Sequence, residues 1–358
     1  MSHQQINLYC MEDKKQIVFI VNPISGTHNK AAILNLINDR IDKERYEYQI
    51  IRTERAGHAI EIAAEAAANH VYMAVAIGGD GTINEIARSL IHTETALGII
   101  PCGSGNGLAR HLEIPLDAKR AIDVINNGKV ACIDYGKINE IPFFCTCGVG
   151  FDAFVSLKFA KAGKRGPLTY LEKTLHESLN YKPETYEIIS EDGTMKYKAF
   201  LIACANASQY GNNAYIAPQA SLNDGLMDIT VLEPFTVLDI PALSFQLFNK
   251  TLDQNSRIKT FRCKKLRIQR KKAGVIHFDG DPVMTGNEID VELIPHGLNV
   301  VIPEKKKSKK KEANFLQLIS EYISEIRSMN ETIVEDISNK NKALINKNKE
   351  FIKKLTKM

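Results

Sequence analysis

No apolar run in this 358-residue chain approaches the roughly 20 residues needed to cross a bilayer. The opening stretch MSHQQINLYCMEDKK also lacks an apolar core of signal-peptide length. The expectation is a cytoplasmic protein, neither secreted nor membrane-spanning. Cysteines are few and odd in number, seven in all, and the only close pair, Cys145 and Cys147, has no metal or thioredoxin spacing. A reducing, cytoplasmic compartment is the simplest setting. Familiar nucleotide signatures are missing too. There is no G-x-x-x-x-G-K-S/T, GSGNGLAR lacks the third glycine of G-x-G-x-x-G, and the H-R-D and D-F-G sets of protein kinases are absent. A strong charge imbalance is also lacking in the body. Of 46 basic and 42 acidic residues, 14 and 8 fall in 304–358, leaving 32 against 34 in 1–303. A nucleic-acid-binding body would carry its basic excess on the fold, so no nucleic-acid partner is expected.

What is present begins with a repeated grammar. QIVFIV (16–21), VYMAVAI (71–77) and LGIIP (97–101) are apolar runs of strand length. Each is followed by a loop (NPISG, GGDG, CGSGNG) and then by a helix-like segment. YEYQIIRT (46–53) adds a strand, and the alanine-rich HAIEIAAEAAANH (58–70) adds a helix. Strands alternating with helices give parallel βαβ units and an α/β domain over 1–128. From 129 to 303 strands dominate, with helices near 154–180 and 235–250, a hairpin at SEDGTM (190–195), and a pair of strands in GNEIDVELIPHGLNVVIP (286–303). This reads as a mostly antiparallel β domain whose last strands return to the first domain. Residues 304–358 open with EKKKSKKK and continue with an apolar stripe at helical spacing from Phe315 to Ile337. The lysine run suits an anionic membrane surface, and the stripe suits self-association into a homo-oligomer or packing on the body.

The loops carry the chemistry. A helix start offers unpaired N–H groups and the positive end of its dipole, and glycines let a phosphate approach them. Gly78, Gly79 and Gly81 suit such a cradle, with Asn22, Gly26, Ser104 and Asn106 on the same edge. Asp80 is anomalous there, because an acid repels phosphates. It becomes sensible where magnesium bridges, or where the acid accepts a proton from an attacking hydroxyl. An acid within a phosphate cradle points to phosphoryl transfer.

NPISG (22–26), TERAGHA (53–59), GGDGTINEI (78–86), PCGSGNGLAR (101–110), NDGLMD (223–228) and DGD (279–281) occur in an order that resembles the diacylglycerol kinase catalytic-domain family. That family also includes sphingosine and ceramide kinases and the bacterial lipid kinases. The resemblance covers about 15–303. It implies an NAD kinase-like α/β domain, a C-terminal β-sandwich, and an active site in the cleft between them. By the same resemblance Asn22, Pro23, Ser25, Gly26, Thr53, Ser104 and the loop with Gly79, Gly81, Thr82 and Glu85 contact ATP. Asp224, with the carbonyls of Ser221 and Leu226, looks like a structural magnesium site. The family's proton acceptor is the glutamate of D-G-E. Here it is Asp281, one methylene shorter, with Asp279 as its partner.

Together these readings give an ATP- and magnesium-dependent kinase acting on a hydroxyl of a membrane lipid, with Asp281 or Asp80 as base. GSGNGLA resembles the sphingosine-kinase form of this motif more than the N-D-F-A-R form of many glycerolipid kinases, which tilts the acceptor slightly towards a sphingoid-type lipid. The enzyme is expected to sit peripherally on the inner face of the membrane. Two other readings are a NAD kinase-like soluble phosphotransferase and a catalytically weak lipid-binding homologue.

Overall fold

Strands β1 (Lys15–Val21), β2 (Tyr46–Arg52), β3 (Met73–Gly78) and β4 (Ala96–Pro101) lie in the order β2-β1-β3-β4, all parallel. This is a computed structural model, and it describes residues 14–24, 30–162 and 181–304. Every residue of β3 and β4 is buried, which an unbroken apolar strand requires when both sheet faces are covered. Helices α1 (Lys30–Arg40) and α5 (Ala118–Asn127) cover one face. Helices α2 (His58–Ala68) and α3 (Asp80–Leu90) cover the other. On α3, Ile83, Ile86, Ala87 and Leu90 are buried, a stripe at spacings of three and four. Each such large side chain contributes about 1.5–3 kcal/mol when fully buried. The strand order changes direction between β1 and β3, so the crevice of this sheet opens at their C-terminal ends.

The second half is built from strands of both sheets. β5 (Lys129–Ile138), β6 (Ile141–Phe143), β8 (Glu184–Ser190), β9 (Gly193–Ala199), β13 (Lys265–Arg270) and β16 (Glu288–Ile302) extend the first sheet to ten strands among the described residues. A separate six-stranded sheet runs in the order β12 (Ile258–Cys263), β11 (Met227–Leu232), β10 (Leu201–Ala205), β7 (Thr146–Gly150), β14 (Gly274–Phe278), β15 (Asp281–Thr285). The two sheets share a core in which Ile188, Ile268 and Val291 meet Val149, Ile202 and Ile229, all fully buried. That core makes the second half a sandwich. Helices α4 (Gly107–His111), α6 (Phe151–Ala162) and α7 (Ile240–Phe248) complete the α-helices among the described residues.

The expected hairpin forms between β8 and β9, with Ser190 opposite Gly193 and Gly193 at φ 118°. The expected strand pair at 286–303 differs. Pro-His-Gly at 295–297 reads as a turn, yet β16 runs through it as one strand with a register shift between Ile294 and Leu298. The shift is absorbed by His296 at φ 53°, whose N–H donates to the buried Asp134 Oδ1 at 2.8 Å. Beyond it, Val300 pairs in parallel with Leu97, so β16 joins the sandwich to the α/β sheet. The expected tail helix lies outside the described residues.

Candidate active site

Parallel strands bring the expected phosphate loops to one edge. After β1, the Asn22 side-chain amide donates to Thr82 Oγ1 at 3.0 Å, tying the first loop to the start of α3. Pro23 is exposed beside it, while Ser25 and Gly26 lie outside the described residues. Thr53 is buried at the end of β2, where its N–H donates to Val21 O. Gly78 ends β3, Gly79 is the N-cap of α3, and no side chain caps that helix. Its first turn holds Asp80, exposed Gly81 and buried Thr82, followed by half-buried Glu85. An uncapped helix start at a strand end has the donors and the dipole that a phosphate needs.

The second glycine loop is locked against the first. A Cβ on Gly103 would stand 2.7 Å from the Gly79 Cα, a distance real side chains do not adopt, so the approach demands glycine. Asn106, at φ 51°, closes its own loop by accepting from Gly103 N–H and donating to Gly103 O. Ser104 at its tip is exposed. Asp80 performs the locking. One carboxylate oxygen accepts the Asn106 N–H at 2.8 Å, and the other accepts the Gly107 N–H at 2.7 Å. Its negative charge thereby sits at the N-terminal end of α4.

The DGD turn meets this edge from the sandwich. Phe278 pairs with Asp281 across a two-residue turn whose members, Asp279 and Gly280, have φ of 48° and 90°. Two positive φ values are the mark of a tight hairpin turn, and Asp-Gly supplies them at low cost. The Asp279 carboxylate accepts from the N–H groups of Phe144, Cys145 and Thr146 and from Asn84 Nδ2 at 2.6–3.0 Å. Burial raises its pKa above the ordinary carboxylate value, and these four donors oppose the rise. Asn84 belongs to α3, so Asp279 fastens the turn to the helix that begins at the phosphate cradle. Cys145 lies between the two acids. Its thiol is pushed well up by burial first, then by Asp279 and Asp80. Asp281, the first residue of β15, is exposed.

Asp224 is held by different partners. It accepts from Leu226 N–H at 3.2 Å and forms an ion pair with Arg262, which also reaches Asp228 at 3.3 Å. The Ser221 hydroxyl donates to Asn223, and Gly225 N–H donates to Asp134. A magnesium site needs several hard oxygen ligands. Here a guanidinium already neutralises the one carboxylate, so the donor set does not fit a structural magnesium as it stands. No step below runs through one.

Asn84, Gly103 and Gly107, which lie inside the GGDGTINEI and PCGSGNGLAR motifs, and Asp134, which lies outside every motif, turn out to organise the site. Asn84 is buried one turn into the helix, and a buried carboxamide needs a partner. His111, at the end of α4, accepts the Ser208 N–H on Nδ1 at 3.0 Å. Burial, then Lys250, holds its pKa down to about 4. A lowered pKa means that the unfolded chain binds the proton more readily than the folded one. Stability from His111 is therefore complete above about pH 6.5 and drains as pH falls towards 4, by up to about 3 kcal/mol. Melting temperatures measured from pH 7 to 4.5 should fall. His111→Gln, which keeps an acceptor but cannot titrate, should flatten that limb.

The glycine loops of the α/β half, fastened to the β-sandwich by an acidic turn, form one candidate phosphate-binding edge. The chain belongs to the diacylglycerol kinase catalytic-domain family of lipid kinases. Residues 16–138 match the diacylglycerol kinase catalytic domain, and 145–302 match the YegS C-terminal NAD kinase beta sandwich-like domain. It is 29% identical over 286 residues to a probable lipid kinase YegS-like protein of Enterobacter sp. (strain 638), covering 77% of this chain and 94% of the relative. It is 28% identical over 302 residues to the diacylglycerol kinase of Bacillus subtilis (strain 168), covering 82% and 98%. The fold matches the crystal structure of a putative diacylglycerol kinase from Bacillus anthracis str. Sterne. That match has a TM-score of 0.67 and 22% identity, and covers 82% of this chain and 99% of the other. The expected fold class and the expected enzyme class both hold.

Proposed function

We propose that the protein transfers the γ-phosphoryl group of ATP, delivered as its magnesium complex, to a hydroxyl of a membrane lipid, diacylglycerol or a sphingoid-type lipid. The observation that carries this reading is the fastening of the DGD turn to α3. Through Asn84 and Asp279, it sets an acidic turn one helical turn from a phosphate cradle. In the reaction the acceptor oxygen bonds to the γ-phosphorus, and the bond from that phosphorus to the β,γ-bridging oxygen breaks. ADP leaves with the electron pair of the broken bond, and the hydroxyl proton passes to a carboxylate.

Asp281 is the carboxylate that suits the base. Both oxygens of Asp80 already accept backbone N–H groups, and Asp279 is engaged by four donors, whereas Asp281 is exposed at the turn. Asp80 instead holds the second glycine loop in place, and Asp279 sets the position of the turn. Asn22, Pro23, Ser25, Gly26, Thr53, the Gly78–Glu85 stretch, Ser104 and Asn106 bind ATP in this reading. Among the described residues no helix is long and apolar enough to cross a membrane. The enzyme would therefore meet its lipid peripherally, from the cytoplasmic side.

The experiment is transfer from radiolabelled ATP by the purified full chain, offered diacylglycerol, sphingoid bases and NAD in parallel. Label appearing in a lipid supports the reading. Label appearing only in NAD, or in no acceptor, overturns it.

A further inference from the structure

Among the described residues two of the Arg88 guanidinium donors find no acceptor. It lies eight residues into α3 from Asp80, on the face that carries Asn84 one turn earlier. Its guanidinium sits 4.8 Å from the centroid of the Phe278 ring. Its Nε and Nη2 atoms are closed off from solvent and have no hydrogen-bond partner. The ring does not answer this need. A cation over an aromatic face is attracted by the π system, but the guanidinium donors lie in its plane and still require acceptors. Each buried donor left unmade costs about 1–3 kcal/mol. Glu85, one turn back on the same helix, forms no ion pair with Arg88, and neither does any other described carboxylate. A planar fork with two shielded, unused donors matches an anion with several oxygens, a phosphoryl group above all.

The position says which phosphoryl group. Long helical side chains lean towards the N-terminus of their helix, so the head of Arg88 reaches back over the turn where Asn84 holds Asp279. Phe278, against which it stacks, is the cross-strand partner of Asp281. Directly opposed residues of an antiparallel pair project from the same sheet face. Phe278 and Asp281 therefore project from one face of the hairpin, and Arg88 lies against the Phe278 ring of that hairpin. Asp80, Glu85, Asp279 and Asp281 place four carboxylates in the site, and the second glycine loop carries a cation of its own in Arg110, whose Nε donates to Gly105 O at 2.9 Å. Transfer of a phosphoryl group among these carboxylates needs a fixed positive charge where negative charge develops.

We propose that Arg88 grips the phosphoryl group in flight, its guanidinium swinging off the Phe278 ring to donate to the equatorial oxygens while the acceptor hydroxyl faces Asp281. This rests on the phosphotransfer reading above and assigns a catalytic residue to it. Arg88 neither donates nor accepts a proton in the step. It offsets the charge that spreads over the three equatorial oxygens as the old bond breaks and the new one forms.

The test uses the full chain and two readouts, calorimetric binding of ADP with and without aluminium fluoride, and lipid phosphorylation. Aluminium fluoride with ADP mimics the phosphoryl group in transit and should bind wild type about 10²-fold tighter than ADP alone. Arg88→Gln should leave ADP affinity unchanged and melting temperature no lower, abolish that enhancement, and lower kcat by roughly 10²–10³-fold. Arg88→Lys, which keeps the charge but loses the fork, should recover only part of both. A purely structural Arg88 would instead lose ADP affinity, enhancement and melting temperature together, and that result overturns the proposal. So does an enhancement retained in Arg88→Gln, or one absent from wild type. If wild type shows the enhancement, Arg88→Gln loses it, and no lipid is phosphorylated, the Arg88 role stands and the lipid acceptor falls. If lipid is phosphorylated equally by wild type and Arg88→Gln, the Arg88 role falls and the lipid acceptor stands.

Discussion

Replacing Asp281 by asparagine is expected to lower kcat by about 10²–10⁴-fold, the range typical of losing a general base, with little change in ATP affinity. The amide keeps the size of the side chain and the turn around it but cannot take the acceptor's proton. Asp281→Glu should keep or raise activity, because it restores the D-G-E form usual in the family and lengthens the reach by one methylene. Steady-state rates with saturating lipid, alongside calorimetric ATP affinity, separate these outcomes. Normal turnover by the asparagine variant would move the base elsewhere. Asp80 is then the remaining candidate, although its two oxygens hold the Asn106 and Gly107 N–H groups.

Asp279→Ala should be the most destabilising single change at the site. It removes the acceptor for three consecutive backbone N–H groups, those of Phe144, Cys145 and Thr146, and for the Asn84 amide. Each buried donor left without a partner costs about 1–3 kcal/mol, so a total near 4 kcal/mol or more is expected. That is a large share of the roughly 5–15 kcal/mol by which folded proteins are stable. Urea unfolding should show a lower midpoint with an unchanged slope. Activity should fall as well, because the turn bearing Asp281 is no longer fastened to α3. Asn84→Ala is the milder partner of this experiment, since it removes one of the four bonds and leaves the backbone donors satisfied. Equal midpoints for wild type and Asp279→Ala would show that the turn is held by other contacts.

Much of the first half was legible residue by residue. VYMAVAI and LGIIP are unbroken apolar runs because their strands are covered on both faces, and all six residues of each strand are buried. The glycine loops could be placed at helix starts because glycine and the onset of helical periodicity are both local signals. The Asp279-Gly280 turn was legible for the same reason, since positive φ is a property of the residue and its neighbour.

The rest depended on partners far away in the chain. Pro-His-Gly at 295–297 has the local chemistry of a turn, but pairing with β5 on both sides and the Asp134 carboxylate carry the strand through it. The Asp224 loop reads as a cation site until Arg262, 38 residues on, supplies the positive charge. Asp80 and Asp281 look equivalent in sequence, two acids in glycine-rich turns. The fold separates them by presenting two backbone N–H groups to one and leaving the other exposed. Local pattern determined the strands, the turns and the phosphate loops, because periodicity and backbone preference act over a few residues. The tertiary structure alone decided which partners each acid has, because a carboxylate accepts from whichever donors packing brings to it. For Asp279 one of those donors lies 195 residues away.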